Sequence, residues 1–207
     1  MRRHRGVSLA VVVLALSVLA GCSPVTHTWE SSSIRFMYGP SLPGGSYRDR
    51  VREASGNWAG LGLPPRTFSA NAGPWTGNPC TNLSRGLTNG VHMRTIDGGG
   101  RILAATYACI RTDRPVVINV DIVIDASEAW WPSNSTAISP NSMDLESVVT
   151  HEMGHAWGWF GAHLTGAPCQ PGPNRHTMCA DLIRGTTGQR TPQPGDYLPV
   201  LRAYGGP

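Results

Sequence analysis

The clearest periodic pattern lies between residues 142 and 157, where Leu145, Val148, Val149, Met153 and Ala156 recur at steps of three and four and form one apolar stripe. This spacing predicts an amphipathic helix. Asn141 or Ser142 is placed to cap its start, Asp144 and Glu146 suit the positive end of its dipole, and Gly158 supplies a left-handed residue to end it. A second helix is expected over 47–58, with Val51, Ala54 and Trp58 on one face. Short strands are expected over 33–38, 67–70, 91–96 and 102–110, and the Gly-, Pro- and Asn-rich stretch 73–90 reads as loop. Over 116–125 Val and Ile alternate with a second set, Val117, Asn119, Asp121 and Val123, so this strand has one wholly apolar face. The element order is strand, helix, several strands, then the 142–157 helix.

The first residues have a different pattern. Arg2, Arg3 and Arg5 precede an apolar run from Val7 to Ala20 that is too short to span a bilayer comfortably, which is the layout of an export signal. It ends in Leu19-Ala20-Gly21-Cys22, which resembles the bacterial lipobox. That resemblance implies cleavage before Cys22 and a lipid on its thiol. Residues 1–21 are therefore expected to be a signal, 22–30 a lipidated cysteine with a short tether, and 31–207 one domain. The implied location is the outer face of the cytoplasmic membrane, or the medium if the protein is released. Contact with the membrane is expected only through that lipid.

Charge and cysteine content narrow the classes further. The formal charge of +4 includes the three arginines of the signal, so the remainder is close to neutral and gives no case for a nucleic-acid partner. All 17 basic residues are arginine, a coding bias of G+C-rich bacterial genomes that carries no mechanism. After Cys22 come Cys80, Cys109, Cys169 and Cys179. An even number in an exported chain favours disulfides over a zinc-thiolate site, for which no CxxC spacing exists, and sequence order favours Cys80–Cys109 and Cys169–Cys179 among the three pairings.

The chemistry-bearing stretch is Thr150-His151-Glu152-Met153-Gly154-His155 on the flank of the 142–157 stripe. Two residues four apart on a helix lie about 40° apart around its axis, so both imidazoles are able to face one ion with a carboxylate beside them. This is the spacing of zinc peptidases. His163 follows beyond a glycine-containing turn, and Met178 lies in Arg175-His176-Thr177-Met178-Cys179.

Together these residues resemble the metzincin clan, in which a third histidine and a methionine turn follow the HExxH helix. The element order resembles its matrixin branch. Leu103-Ala104-Ala105-Thr106-Tyr107 is similar to the family's substrate-pairing strand, Asp125-Ala126-Ser127-Glu128-Ala129-Trp130 to the end of its last strand, and Gly195-Asp196 through Tyr204 to its closing helix. The resemblance implies an α+β fold: a twisted mixed sheet with one antiparallel edge, two long helices beneath it, and a small C-terminal subdomain carrying the methionine turn. It also implies one catalytic Zn2+ held by His151, His155 and a third ligand, Glu152 as general base, and Met178 as a packing element under the metal.

The sequence departs from the family pattern at the third ligand. Three residues after Gly158 stands Gly161, and the histidine comes two positions later, so two residues must be looped out to bring His163 to the metal. His176 and Asp181 are the competing ligands; no glutamate follows Glu152. The additional structural metal sites and the PRCG-type cysteine switch of animal relatives are not recognisable in the sequence. The implied activity is zinc-dependent endopeptidase, with a protein or peptide substrate lying extended along strand 102–110 and selectivity set by residues such as Leu182 and Ile183. The molecule is expected to act as a monomer. A cell-wall peptide hydrolase and an inactive metzincin-fold binding lipoprotein remain the alternatives.

Overall fold

A computed structural model describes residues 9–14, 25–70, 73–81, 89–160, 163–172 and 174–205. Cys22 and most of the expected signal lie outside the described residues. The elements in chain order are β1 (Leu9–Leu14), β2 (Thr28–Trp29), β3 (Ile34–Tyr38), α1 (Ser46–Gly56), β4 (Arg66–Ala70), β5 (Asn89–Arg94), β6 (Ala104–Arg111) and β7 (Val116–Asp125). They continue as β8 (Trp130–Trp131), β9 (Met143–Asp144), α2 (Leu145–Ala156), a single 3-10 turn (Ala167–Cys169) and α3 (Pro194–Ala203). Among the described residues no helix is long and apolar enough to cross a membrane.

The main sheet runs β1-β6-β7-β5-β3-β4, with β2 added on β7. β3, β4, β5 and β7 are parallel to one another, whereas β6 runs antiparallel to β7, so the expected mixed sheet with one antiparallel margin is present. β6 is not the outermost strand. β1, from the apolar run read as part of the signal, pairs antiparallel along it from Leu9 opposite Arg111 to Leu14 opposite Thr106.

β7 is buried along almost its whole length, Ile118 being the exception, because both faces of the sheet are covered. On one face, alternate positions such as Val120, Ile122 and Ile124 meet α1 and α2 in a core that includes Phe36, Val51, Ala54, Trp58, Val148 and Met153. On the other, the segment 73–81 crosses the strands: Asn119 Nδ2 donates to the Pro79 carbonyl at 3.0 Å, Trp75 packs on Tyr107 with ring centroids 5.0 Å apart, and Cys80 is bonded to Cys109. A short connection thus does for this face what a helical layer does for the first. Both expected disulfides are present.

Two boundaries differ from the sequence reading. α2 starts at Leu145, and its cap is Asp144, whose Oδ2 accepts the Ser147 N–H at 2.9 Å; Asn141 and Ser142 lie in the turn before β9. The pattern did not mark Asp144 as a cap because its acidity fits a first helical turn equally well. Second, the stretch expected as tether is docked: Thr28 and Trp29 pair with Val116 and Val117, and Trp29 Nε1 donates to the Ala156 carbonyl at 2.8 Å. Trp29 is 8% exposed. A single tryptophan among polar residues gives no periodic signal, yet its apolar area is enough to fasten the segment to the end of α2.

Charged residues tie the helices to the C-terminal part of the chain. Arg50 on α1 pairs with Glu146 on α2 at 2.9 Å, and Arg190 grips Asp144 through Nε and Nη2 at 2.9 and 2.6 Å. These side chains are largely buried, so loss of one partner would cost on the order of 3–5 kcal/mol by stranding the other charge. The network fixes the start of α2, and with it the orientation of the histidine-bearing turns.

Candidate active site

α2 presents His151 and His155 from successive turns. His151 Nδ1 lies 2.8 Å from the Thr177 carbonyl and His155 Nδ1 lies 2.5 Å from the Trp159 carbonyl. A carbonyl only accepts, so each Nδ1 carries the proton and each Nε2 is left with a lone pair. The two Nε2 atoms face one another at 3.1 Å. Neither has a proton to share, an arrangement that a cation between them satisfies.

His163 closes the group. Its ring stacks on that of His151 at 5.2 Å and stands perpendicular to that of His155 at 5.1 Å; its buried Nε2 has no hydrogen-bond partner. One nitrogen from each of the three histidines lies within 4.8 Å of the others, and among the described residues this is the one such cluster of three or more His, Cys, Asp or Glu ligands. All three are buried. The donor set, three imidazoles with orphaned nitrogens converging, fits a zinc ion.

The local chain explains how His163 returns to the cluster despite its displaced position. Gly158 takes φ 109°, a conformation that disfavours a side chain, and turns the chain out of α2. Trp159 is 1% exposed and its Nε1 donates to the Asp196 carbonyl on α3 at 2.9 Å, so the loop is hooked onto the C-terminal helix just before the extra residues. Residues 161 and 162 lie outside the described residues. Beyond them Leu164 N donates to the Met178 carbonyl at 2.8 Å, which places His163 between two fixed points.

Met178 lies beneath α2 in van der Waals contact with Gly154: a Cβ at that glycine would come 2.2 Å from the Met178 sulfur. The turn holding it is fastened by one carboxylate, since Thr177 N and Met178 N both donate to Asp196, at 3.0 Å each. The Cys169–Cys179 disulfide closes the same turn from the other side. Of the competing ligands, His176 faces Asp196, with Nδ1 3.6 Å from Oδ1, and is not in the cluster. Asp181 is also outside it but acts through its charge, raising the basicity of His163 against the effect of burial.

Burial sets the protonation of the site. It pushes His151 well below the usual histidine range, helped by the neighbouring imidazoles, and lowers His155 to about 3. His163 moves the same way. The three rings are thus neutral near pH 7, the form that ligates a metal. Glu152, 1% exposed, is pushed up to about 7 by burial, opposed by a hydrogen bond from Thr106. Its Oε2 accepts the Thr106 hydroxyl at 2.6 Å, while its Oε1 is buried with no partner. A carboxylate with that basicity is suited to exchange a proton at neutral pH.

Residues 82–167, which contain β5 to β7, α2 and His163, match the family model Matrixin. The chain is matrixin-like. The family is one of zinc-dependent peptidases, and the three-histidine cluster is compatible with its zinc site. No curated protein matches the sequence.

Several contributors to this matrixin-like site were not singled out in the sequence. Thr177 and Trp159 act through carbonyls, which carry no residue-type signal, and Asp196 lies eighteen residues beyond the turn it holds. The Asp97-Gly98-Gly99-Gly100 loop before β6 was likewise missed: Asp97 accepts the N–H groups of Gly100, Arg101 and Ile102 at 3.2, 2.7 and 3.1 Å, and its own N–H donates to Asp125. Its run of glycines after an aspartate is a turn signal that marks how β6 is led into the sheet.

Proposed function

We propose that this matrixin-like chain is a zinc-dependent endopeptidase, with His151, His155 and His163 as the metal ligands and Glu152 as the general base. The observation that carries this reading is the convergence of three imidazole nitrogens, none with a proton donor to satisfy it, together with a buried and unpaired carboxylate oxygen on Glu152, the residue next to His151 on α2. Zinc held there would supply the Lewis acidity that activates water and stabilises the developing oxyanion. Glu152 Oε1 takes the proton as the nucleophile forms and returns it to the leaving amine. Carbonyls of Thr177 and Trp159 fix the tautomer of His151 and His155 and keep their Nε2 atoms available. The turn at 177–178 is read as the methionine turn, with Met178 as packing under the ligands.

Substrate is proposed to lie extended against the outer edge of β6, bonded through main-chain groups that are largely indifferent to side chain. The pairing of β1 along that edge supports this, because it exhibits an antiparallel strand seated there over six residues. Leu182 and Ile183, beyond the Met178 turn, are proposed to shape the adjoining pocket. Export is supported by the two disulfides, which suit an oxidising compartment, and anchorage is proposed through a lipid on Cys22.

The deciding experiment is cleavage of an unfolded protein by the purified chain and by its Glu152→Ala variant. Activity lost in the variant by about 100-fold or more, lost in chelator and restored by zinc is the expected result. A parent protein that binds zinc and cuts neither unfolded protein nor cell-wall peptides would overturn the reading in favour of a binding role.

A further inference from the structure

The face of β6 that meets α2 is a stripe of small residues: Ala104, Thr106 and Ala108, each 0% exposed. Small side chains let the helix approach the strand closely. Thr106 is the polar member of the stripe, and a hydroxyl buried there costs free energy unless it is bonded. An alanine would continue the packing without that cost. The Thr106 hydroxyl has two acceptors within reach, both on Glu152: the side-chain Oε2 at 2.6 Å and the main-chain carbonyl at 3.1 Å. A hydroxyl has one hydrogen, and the shorter contact, to Oε2, is the stronger of the two. Among the described residues Glu152 has no other hydrogen-bond donor on its carboxylate: Oε1 is without a partner and Oε2 accepts from Thr106.

We propose that Thr106 is a positioning residue for the reaction: its hydroxyl locks the Glu152 carboxylate in one orientation, occupying Oε2 so that Oε1 alone is presented for proton transfer. The proposal rests on the peptidase reading above for its effect on turnover, but the positioning itself is a property of the protein. Glutamate has three side-chain torsions, and a buried carboxylate held at neither oxygen would distribute over several of them. A misplacement of about 1 Å at a proton-transferring group lowers turnover by up to about 100-fold. The arrangement also joins two parts of the site, because the strand proposed to seat the substrate is the strand that orients the base.

The test compares zinc-loaded parent protein with Thr106→Val, which is nearly isosteric, Thr106→Ser, which keeps the hydroxyl, and Thr106→Ala, which extends the alanine stripe should valine disturb folding. The expected result is a fall in kcat of roughly 10- to 100-fold for the valine and alanine variants, with KM changed by less than about twofold. Bound zinc should stay at parent level in both, and the serine variant should recover most of the lost turnover. Crystal structures should show Glu152 in one conformer in the parent and the serine variant and in more than one in the other two. Valine and alanine variants that turn over at the parent rate, or a serine variant as slow as valine, would overturn the proposal. So would a Glu152 carboxylate that keeps its single conformer without the hydroxyl. If the parent cleaves nothing, the peptidase reading fails while the crystal structures still decide whether Thr106 holds Glu152.

Discussion

At the scale of single residues, the site is a contest between burial and charge. His151, His155 and His163 are held below the ordinary histidine range and Glu152 above the ordinary carboxylate range, so in the absence of metal the native cluster refuses protons on the rings and retains one on the acid. Near pH 5 the unfolded chain would bind more protons on these histidines than the native state does, and the native state would keep one on Glu152 that the unfolded chain has mostly released. Three depressed histidines oppose one raised carboxylate, so the unfolded state binds more protons and stability should rise with pH there. The histidines' contribution is present above about pH 6.5 and is lost as pH falls towards their native values; the opposing contribution of Glu152 is lost as pH rises from about 4.5 to 7. Thermal unfolding of the metal-free protein at pH 5 and 7.5 checks this, and equal midpoints would show that the cluster is not buried as described. Zinc binding answers a separate question. His163→Ala should weaken it by more than about 100-fold, beyond the usual effect of an outer hydrogen-bonding partner, as measured by competition with a chelator. His151, Glu152 and His155 were legible in the sequence because helix geometry alone puts them together. His163 was legible only by resemblance, and its placement depends on the Trp159 hook, which has no sequence pattern of its own.

At the scale of elements, the two disulfides look alike in sequence but fasten different things. Cys169–Cys179 closes a short loop between the third histidine and the Met178 turn, whereas Cys80–Cys109 pins the crossing segment 73–81 to β6 on the face away from α2. Loop-closure entropy assigns about 2.7 kcal/mol to the first, with sequence separation 10, and about 3.6 kcal/mol to the second, with separation 29. Replacing either pair by serines should therefore lower the midpoint of unfolding by similar amounts. The separating measurement is zinc affinity: it should fall when Cys169 and Cys179 are replaced and stay near the parent value when Cys80 and Cys109 are. No loss in the Cys169 and Cys179 variant would mean that the Met178 turn is held by Asp196 without need of the bridge. Both helices were readable from their stripes, and β7 from its alternation, since those signals are set by one element facing one core. The cover provided by 73–81 was not. Its contacts come from a proline carbonyl, a tryptophan and a cysteine in a segment whose composition says loop, and nothing local distinguishes a loop that crosses a sheet from one that does not.

At the scale of the whole molecule, the sheet's margin is where sequence reading and structure part most. The stretch 102–110 was expected to be an open edge, and the structure pairs it with Leu9–Leu14 instead. An unpaired strand edge is a template for any extended chain, and β6 accepts the nearest apolar one available to it. If residues 1–21 are a leader that is removed, the processed protein recovers the edge that a substrate would need. The full chain and a form beginning at Cys22, carrying Cys22→Ser to avoid lipidation, should then differ in a length-dependent way. Cleavage of peptides of about eight residues should be faster in the shortened form, because they compete with β1 for main-chain bonds on β6, while the smallest cleavable peptides should be cut at similar rates by both. Initial rates across a peptide length series in the two proteins measure this. Equal enhancement at every length would place the effect of the leader elsewhere than on the β6 edge, and no enhancement at any length would mean that β1 leaves that edge too readily to compete.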